Sequence, residues 1–446
     1  MNRAIGEASE TGTRSGTGSA AAASACAHQR LNILVCGANG FIGAALCRAL
    51  APHRIIKGVR QPRAADEIAI DYTVDLDAGA WMDSLQGVDV VINAVGIVNE
   101  HGAQTFDRVQ REAPIALFDA CVRAGVKRVI QISALGAQTG DARFLQTRRA
   151  ADEHLQSLGI PHHLLRPALV YGTEGTSARY FRTLASMPVH LLPAGGHQVL
   201  RPVHIDELAE AVVRLLDGNH AEPSVLDVVG GTEVDYRQML ATYRASMGFA
   251  PAWRIGIPSR LMDLGAALLE RVPGSLFTRE TWRMLRAGNT ADAAPMAAVL
   301  GRAPAGIETF IPRREAPALR QQALAAWRPA LLRGALAITW LWTAVCSAFI
   351  YPQADSLALL AGVPLHGLPA LVALYAACAL DAAFGIATLL RPGRRLWAAQ
   401  AALILGYSLV IAVALPEFLW HPFAPLLKNL PILALLILLF SEESES

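Results

Sequence analysis

The first part of the chain alternates short apolar runs with longer stretches of helical periodicity. Between residues 31 and 311 the apolar runs are rich in Val, Ile and Leu, which is typical of parallel strands buried on both faces. The predicted strands are 31–36, 55–59, 88–94, 128–132 and 162–166, with helices beginning near Phe41, Thr105 and Ala142. Because each helix would connect two strands as a crossover, the pattern predicts an α/β fold with a doubly wound, mostly parallel sheet.

After about Ala316 the charges thin out, and the apolar runs become long enough to cross about 30 Å of hydrocarbon. The predicted spans are 333–351, 368–390, 396–415 and 426–440, which together predict an all-α transmembrane bundle of about four helices. The last span is short, and Lys428 would have to reach the interface from it. The alternative is a soluble all-α domain, although soluble helices rarely stay apolar on all sides for ~18 residues.

Arginine positions predict how the bundle is oriented. Arg391, Arg394 and Arg395 lie between the second and third spans, and several more arginines precede the first. Positively charged loops usually face the cytoplasm. The sequence therefore predicts a multi-pass protein of the inner (cytoplasmic) membrane, with both the α/β domain and the acidic C-terminus in the cytoplasm.

These boundaries divide the chain into five parts. They are a disordered leader 1–28, a nucleotide-binding domain 29–312 with a small substrate-side subdomain, a linker 313–332, a transmembrane domain 333–441 and an acidic tail 442–446. The leader is rich in Ala, Ser, Thr and Gly and lacks the apolar core of a secretory signal. A mitochondrial-type presequence is the alternative, against which Glu7 and Glu10 argue.

Charge and cysteine content narrow the possible partners. The chain has 39 Lys and Arg against 37 Asp and Glu, so no overall basic surface for nucleic acid is expected. The six cysteines are scattered, without a CxxC pair or histidines at zinc-ligand spacing. Neither a disulfide framework nor a metal site is predicted.

A glycine-rich turn directly follows the first predicted strand and opens a helix. Its spacing is GxxGxxG, and its candidate cofactor-binding residues are Gly37, Asn39, Gly40, Phe41, Ile42 and Gly43. In this context the first glycine allows the tight turn, the second lets the backbone approach a pyrophosphate, and the third allows close helix packing. The free N–H groups of the helix would then meet the phosphates. The motif predicts a dinucleotide site on a Rossmann-type sheet.

The residues after the second strand bear on the choice of dinucleotide. Where an acid would hold the ribose of NAD(H), the chain has Arg60, with Arg63 nearby, so NADP(H) is favoured over NAD(H). Solvated loop arginines are the alternative. Asp75 resembles the aspartate that contacts adenine in short-chain dehydrogenases/reductases, although a simple turn residue is the alternative. Ala94 and Gly96, at the end of the predicted strand 88–94, resemble the segment that lines the cofactor in the same family and are expected to do so here.

Several segments together resemble an extended, atypical short-chain dehydrogenase/reductase of the epimerase/dehydratase type. The segments are 37–43, 132–137 (ISALGA), 165–172 (LRPALVYG), 201–209 (RPVHIDELA) and, more loosely, 278–307. They are most similar to the branch that contains the Rossmann-fold accessory subunit of respiratory complex I. From about Arg333 the chain resembles the small DoxX-like membrane family, through 420–423 (WHPF) and 427–431 (LKNLP).

The first resemblance implies a Ser-Tyr-Lys catalytic set, which this chain only partly retains. Ser133 matches the serine, but Phe144 stands at the tyrosine position and Arg148 at the lysine position. A phenyl ring has no exchangeable proton, so the usual proton transfer is unsupported, while Arg148 could still hold ribose. Replacement donors would have to come from the residues Tyr171, Tyr180, His162 and His163.

Other polar residues are weaker candidates. In extended relatives the arginine matching Arg201 faces a substrate or a phosphate, and Tyr171 lies on the same side. Asp206 is expected to cap the helix that follows. Asp381 lies inside the second span and Glu417 closes the third. A carboxylate at membrane depth usually marks a functional site, whereas Glu417 also fits simple interface anchoring.

Two functions follow as hypotheses. One is a membrane-bound NAD(P)-dependent oxidoreductase or epimerase with a lipid-like or quinone-like substrate. The other is a non-catalytic, NADP(H)-binding structural, sensing or assembly protein that has membrane-complex subunits as partners. A transporter regulated by its nucleotide-binding domain is a third class, disfavoured by the few intramembrane charges.

Overall fold

The computed structural model describes residues 30–217, 224–272, 274–362 and 366–443. The predicted leader 1–28 and Glu445 of the tail lie outside these ranges. The strands are β1 (Asn32–Cys36), β2 (Arg54–Val59), β3 (Glu67–Ala69), β4 (Val90–Asn93), β5 (Arg128–Ile132), β6 (His162–Pro167), β7 (Val170–Tyr171), β8 (Val189–Pro193), β9 (Val199–Leu200), β10 (Val203–His204), β11 (Ser224–Val228), β12 (Val234–Asp235) and β13 (Trp253–Ile257).

Fifteen α-helices accompany these strands within the described ranges. They are α1 (Phe41–Ala49), α2 (Ala113–Ala124), α3 (Arg143–Ser157), α4 (Thr176–Ser186), α5 (Ile205–Asp217), α6 (Tyr236–Ser246), α7 (Ser259–Leu269), α8 (Arg279–Ala287), α9 (Ala294–Leu300), α10 (Ala316–Ala325), α11 (Arg328–Val345), α12 (Gln353–Leu360), α13 (Leu368–Leu390), α14 (Arg394–Ala414) and α15 (Asn429–Glu442). A π-helical turn, Arg108–Glu112, leads into α2, and another, Cys346–Ile350, follows α11.

The main sheet has seven parallel strands in the order β11-β6-β5-β4-β1-β2-β3. Its two faces carry separate cores, because successive residues of a strand point to opposite sides. Ile33 and Val35 pack with Leu208 of α5, whereas Leu34 packs on the other face with Leu117 of α2. The prediction of a doubly wound parallel sheet is confirmed.

The predicted element bounds differ from the observed ones mainly at the ends. Strand 128–132 and the start of α1 at Phe41 agree, and β6 extends one residue further than predicted. The prediction missed both edge strands of the main sheet, β11 (Ser224–Val228) and the three-residue β3. So short a segment carries too few apolar positions to give a periodic signal.

A smaller unit with its own core follows β6 along the chain. Tyr171, Tyr243 and Phe310 stack at its centre, with ring centroids 5.2 Å apart in two of the pairs. Leu319 and Ala323 of α10 complete this core. The segment 313–332, predicted as a linker, is therefore largely helical and packed. Residues 319 and 323 lie four apart, on one face of a helix.

The C-terminal region contains long apolar helices. Within the described residues three helical segments are long and apolar enough to cross a membrane, Ala316–Ile350, Leu368–Leu390 and Arg394–Ala414, and α15 is a shorter apolar helix. Large apolar side chains such as Ile338, Trp342 and Val413 point outward, while Trp340, Trp397 and Leu436 pack inside. This outward apolar surface suits lipid rather than water.

Candidate dinucleotide-binding site

A cavity of about 850 Å³ opens at the carboxyl ends of β1, β2 and β4. The strand order reverses between β1 and β4, and in doubly wound sheets ligands bind at this switch point. Six of the predicted cofactor-binding residues line the cavity, namely Gly37, Asn39, Gly40, Arg60, Ala94 and Gly96.

The glycine turn has the geometry that its spacing predicts. Gly37 has a φ of +79°, a left-handed conformation that glycine adopts without strain, and the N–H of Gly40 donates to the carbonyl of Gly37 at 2.9 Å. A Cβ on Gly43 would lie 2.1 Å from the Gly37 carbonyl oxygen, so only glycine fits where α1 crosses the turn. Gly40 is the N-cap of α1 and has no capping side chain, which leaves the first N–H groups open toward the cavity.

Phe41 and Ile42 have a packing role rather than a place in the cavity wall. The Phe41 ring lies against Gly172 and Gly175, where an added Cβ would come within 2.7 Å and 3.0 Å of it. Ile42 packs against the core on the α1 face of the sheet. Both residues therefore hold the glycine turn against the rest of the domain.

The end of β2 presents Arg60 and Arg63 to the cavity, together with one acid that the sequence analysis missed. Glu67 of β3 also lines the cavity, but its carboxylate accepts hydrogen bonds from the backbone N–H groups of Arg63 (2.6 Å) and Ala64 (3.3 Å). This acid therefore holds the arginine-bearing loop. Recognising it required the pairing of β3 with β2.

Asp75 does not line the cavity in the described structure. Its carboxylate accepts a hydrogen bond from the backbone N–H of Asp71 at 2.7 Å, the turn role that was the alternative for it. Asp71 and Thr73 line the cavity instead, and the Asp71 carboxylate accepts from the Thr73 hydroxyl at 2.8 Å. Sequence reasoning missed this turn because it follows the unpredicted strand β3.

Phe144 and Arg148, which align with the catalytic tyrosine and lysine positions, lie on one face of α3. Asp152 lies on the same face, because the three residues are spaced four apart. Phe144 is buried edge-on against Phe106, with ring centroids 5.9 Å apart. The Arg148 guanidinium lies 5.0 Å from the Phe144 ring centroid and donates to the Ile132 carbonyl at 2.8 Å. Burial lowers the pKa of Arg148 to about 10, so the side chain remains charged near neutral pH.

Arg148 also connects this cluster to the cavity. A Cβ on Gly96 would lie 2.1 Å from Nη2 of Arg148, so the guanidinium rests directly on the Gly96 backbone. Gly96 lines the cavity, and Ile132, which precedes Ser133, supplies the carbonyl. The arginine thus bridges the ends of β4 and β5, next to the cavity wall.

Ser133 is held by a residue that the sequence analysis did not select. Its hydroxyl donates to Asp152 at 2.5 Å, and Asp152 is only 1% exposed. Burial raises the pKa of Asp152 to about 6, opposed by the Ser133 hydrogen bond and by Arg148 and Arg166. The Ser133 hydroxyl proton is therefore directed toward Asp152. The spacing of Asp152 four residues after Arg148 was the available signal.

The replacement proton donors are placed away from this cluster. Tyr171 is buried in the aromatic core of the smaller unit, and burial raises its pKa and that of Tyr180. The Nδ1 of His162 faces the Ile160 carbonyl at 2.9 Å, and that of His163 faces the Ser224 hydroxyl at 2.6 Å. In this structure Tyr171 is a core residue and not an open substrate contact.

Arg201 and Asp206 also have local partners. Arg201 donates through Nη1 to the Ala291 carbonyl at 2.6 Å, which ties the connection between β9 and β10 to the segment before α9. Helix α5 begins at Ile205, so Asp206 lies in its first turn. The prediction that Asp206 caps this helix was therefore wrong. An acid there still favours the helix through its dipole.

The bundle contains a buried polar chain. Trp340 Nε1 donates to Gln400 Oε1 at 2.9 Å, and Gln400 Nε2 donates to the Thr388 hydroxyl at 2.9 Å, which links α11, α14 and α13. Asp381 is buried on α13, and its Oδ1 has no hydrogen-bond partner among the described residues. Glu417 lies exposed in the turn after α14.

Two family models match separate parts of the chain. Residues 37–218 match the NAD(P)H-binding family model, and residues 337–437 match the DoxX-like family model. The chain therefore carries an NAD(P)H-binding Rossmann domain of the short-chain dehydrogenase/reductase kind, followed by a DoxX-like domain with apolar helices. Both resemblances predicted from the sequence are confirmed.

Three curated relatives match the N-terminal domain. A UDP-2-acetamido-2,6-beta-L-arabino-hexul-4-ose reductase of Pseudomonas aeruginosa is 24% identical over 44% of this chain and 53% of its own length. The ceramide reductase of Caulobacter vibrioides is 23% identical over 41% of this chain and 59% of its own length. NADH dehydrogenase [ubiquinone] 1 alpha subcomplex subunit 9 of Mus musculus is 26% identical over 31% of this chain and 37% of its own length. The matches thus span between about a third and three fifths of each relative.

Two solved structures share the fold. The human epimerase family protein SDR39U1 with NADPH has a TM-score of 0.50 and 20% identity over 66% of this chain and 99% of its own. The Escherichia coli NADPH-dependent quinone oxidoreductase QOR2 with NADPH has a TM-score of 0.51 and 18% identity over 63% and 98%. At such low identity the likeness shows the fold alone.

Proposed function

We propose that this protein is a membrane-anchored NAD(P)(H)-dependent oxidoreductase that acts beside the bilayer on a quinone-like or lipid-like substrate. The observation that carries the proposal is the mechanical link between the two halves. One face of helix α10, with Leu319 and Ala323, is buried in the core of the smaller unit, and the helix is separated from α11 by two residues. The dinucleotide cavity and the apolar helices therefore belong to one connected body. The Rossmann domain and the C-terminus would face the cytoplasm from the inner membrane.

The missing tyrosine favours a particular class of substrate. Hydride addition to an ordinary carbonyl leaves an alkoxide, whose conjugate acid has a pKa near that of water, ~15.7, and which needs a proton donor. Reduction of a quinone leaves a phenolate-like anion with a conjugate-acid pKa of about 10, which takes its proton from solvent. Bound NADPH would supply the hydride and become NADP⁺, and one proton completes the hydroquinone. Phe144 and the paired Ser133 do not prevent this reaction.

Residues around the cavity support NADP(H) as the dinucleotide. The glycine turn and the start of α1 would hold the pyrophosphate, and Arg60 with Arg63 would face a 2′-phosphate. Both acids that line this edge have local partners: Glu67 accepts from two backbone N–H groups, and Asp71 accepts from the backbone N–H and the hydroxyl of Thr73. Arg148 is placed to reach ribose hydroxyls past Gly96.

The preference is tested by calorimetric titration of the full chain with NADPH and NADH. Replacing Arg60 by alanine (Arg60→Ala) is expected to raise the Kd for NADPH about tenfold, equivalent to ~1.4 kcal/mol, and to leave that for NADH nearly unchanged. Arg123→Ala, at an exposed position of α2, is the matched control. An equal loss for both nucleotides would contradict a 2′-phosphate contact.

The reaction is tested in lipid nanodiscs by following NADPH oxidation with a short-chain quinone, with a saturated ketone as the comparison acceptor. Turnover with the quinone alone is expected. Binding without turnover on any acceptor would refute the oxidoreductase and leave the second candidate.

The second candidate is a non-catalytic NADP(H)-binding subunit or assembly protein of a membrane complex. It is favoured by the buried Phe144 and by the hydrogen bond that ties Ser133 to Asp152. One relative is also named as a subunit of an NADH dehydrogenase. Purification from native membranes in mild detergent tests it: stable respiratory partners would support it, and a lone homo-oligomer would count against it.

A further inference from the structure

The Rossmann part of the molecule exposes apolar side chains on two elements that follow one another in the chain. β13 and α7 are separated only by Pro258. Trp253 at the start of β13 is 81% exposed, and Leu264 in the middle of α7 is 58% exposed. Isolated surface leucines are ordinary, but a run of large apolar side chains along two elements marks a contact surface.

The strand pair presents its apolar residues on one side. Among the residues that the structure describes, β13 pairs only with β8, in parallel, and the register places Trp253 beside Val189 and Ile255 beside Leu191. Partners in register point to the same face of a sheet. All four side chains are exposed, whereas His190 and Leu192 on the opposite face are buried.

Helix α7 has its apolar stripe turned outward. Leu261, Leu264 and Leu268 follow helical spacing and are all exposed, and Val272 continues the stripe beyond the helix end. The inner side of α7 contacts α8 through buried Ala266 and through Asp263, which accepts from Trp282 Nε1 at 2.7 Å. A surface helix of a water-soluble domain normally has the reverse arrangement.

This surface begins where the chain enters the transmembrane helices. Trp327, one residue before α11, donates from its indole N–H to the Ser186 hydroxyl at 2.9 Å. Two residues further, the Pro188 carbonyl accepts from the Trp253 N–H at 3.0 Å. The backbone of Trp253 is therefore connected to the start of α11 through the short segment from Ser186 to Pro188.

Two arginines flank the apolar stripe of α7. Arg260 and Arg271 are exposed and form no ion pair within the described part of the chain. The acids of α7 and its end are already engaged, Asp263 by Trp282 and Glu270 by Arg279 at 3.6 Å. Free arginines beside outward Leu side chains suit a surface of anionic headgroups over hydrocarbon.

We infer that the face formed by Trp253, Ile255, Leu191 and the α7 stripe is a monotopic membrane-binding surface that inserts into the headgroup region of the bilayer that holds α11. Continuity with the membrane helix and the two flanking arginines favour lipid over a protein partner. Insertion would hold the Rossmann domain at a set height and orientation above the bilayer. This inference does not depend on the reaction proposed above.

The test uses the full chain with a fluorescent non-natural amino acid in place of Leu264 in one variant and of Trp253 in a second. A third variant carries it in place of Val122 on α2, which is 46% exposed and lies outside this surface. Each is placed in nanodiscs containing phosphatidylglycerol, with and without lipids doxyl-labelled near the headgroup. Retained NADPH binding shows that each variant is folded.

Doxyl lipid is expected to reduce the fluorescence at Leu264 and Trp253 to roughly half, since insertion is typically ~5–10 Å deep, and to leave Val122 unchanged. Equal intensity with and without doxyl lipid at Leu264 would overturn the inference, as would quenching of equal size at Val122. A third result would also overturn the inference: no quenching in nanodiscs, together with a blue shift of the Leu264 probe in detergent that grows with protein concentration. That result would assign the face to contact with a second copy of the chain.

Discussion

Replacing Gly40 by alanine (Gly40→Ala) should remove dinucleotide binding and leave the fold intact. In the free protein Gly40 is exposed, and an added Cβ meets only the Gly37 carbonyl oxygen at 3.1 Å, a tight but small contact. With a pyrophosphate lying over the turn, the same methyl group would occupy the space that the phosphate oxygens need. The perturbation therefore acts on the complex and hardly on the free protein.

The expected magnitude follows from mass action. At a nucleotide concentration of about 100 times Kd, binding stabilises the folded wild-type protein by ~2.7 kcal/mol, equivalent to a rise in Tm of roughly 5–10 °C for a domain of this size. If Gly40→Ala weakens binding about a hundredfold, the same concentration gives only ~0.4 kcal/mol and a rise of about 1 °C. Without nucleotide, the Tm of Gly40→Ala should differ from that of the wild-type protein by less than about 1 °C.

The assay is thermal unfolding of the detergent-solubilised chain, followed by intrinsic fluorescence with and without NADPH. Gly265→Ala is the matched control, because a Cβ there meets nothing within 4 Å in the middle of α7, and it should keep the full nucleotide response. Gly43→Ala is the opposite control. Its Cβ would lie 2.1 Å from the Gly37 carbonyl oxygen, so the Tm should fall even without nucleotide.

Two results would refute this reasoning. A Gly40→Ala protein with the full nucleotide-dependent rise in Tm would mean that the pyrophosphate does not lie over this turn. A large drop in Tm without nucleotide would mean that Gly40 is needed for the fold itself, so that its exposure in the free protein is misleading.

Three further predictions concern buried polar groups. Burial raises the pKa of Asp152 from 3.8 to about 6 in the folded state. The contribution of Asp152 to the free energy of unfolding is therefore full below about pH 4 and is lost as the pH rises through about 6. In a pH series of unfolding measurements, Asp152→Asn should remove up to ~3 kcal/mol of the fall in stability between these pH values. Trp340→Phe leaves Gln400 Oε1 without its donor inside the bundle and should lower the free energy of unfolding by about 1–3 kcal/mol in a detergent-unfolding titration; an unchanged stability would contradict this. Gly96→Ala displaces the guanidinium of Arg148 and should weaken NADPH binding. In a double-mutant cycle with Arg148→Ala, the two losses of binding free energy should not add. Additive losses would show that the contact between Gly96 and Arg148 does not contribute to NADPH binding.

Local patterns carried most of the information about the sheet and the glycine turn. Strand β1 has four consecutive buried apolar residues, from Ile33 to Cys36, and the turn at Gly37 needs a residue that tolerates positive φ. These preferences act within about ten residues, so they can be recognised without knowing the rest of the fold. The same holds for α13, whose predicted and observed bounds agree.

Contacts between distant residues could not be predicted in the same way. Ser133 meets Asp152 across 19 positions, and Glu67 reaches the cavity only because β3 pairs with β2. The packing of α10 into the smaller unit depends on aromatic partners more than 70 positions away, such as Tyr243. Such pairings depend on the closure of the sheet, which no local window contains.

By itself the sequence determined the two classes of domain and the glycine-rich turn, because each depends on residue type and local spacing. The tertiary structure alone decided which polar groups are occupied and which surfaces stay open. It turned Asp75 and Tyr171 inward to local partners, brought Asp152 to Ser133, and left the leucines of α7 facing outward. Burial and pairing are properties of the packed chain, since they depend on what each side chain meets after folding.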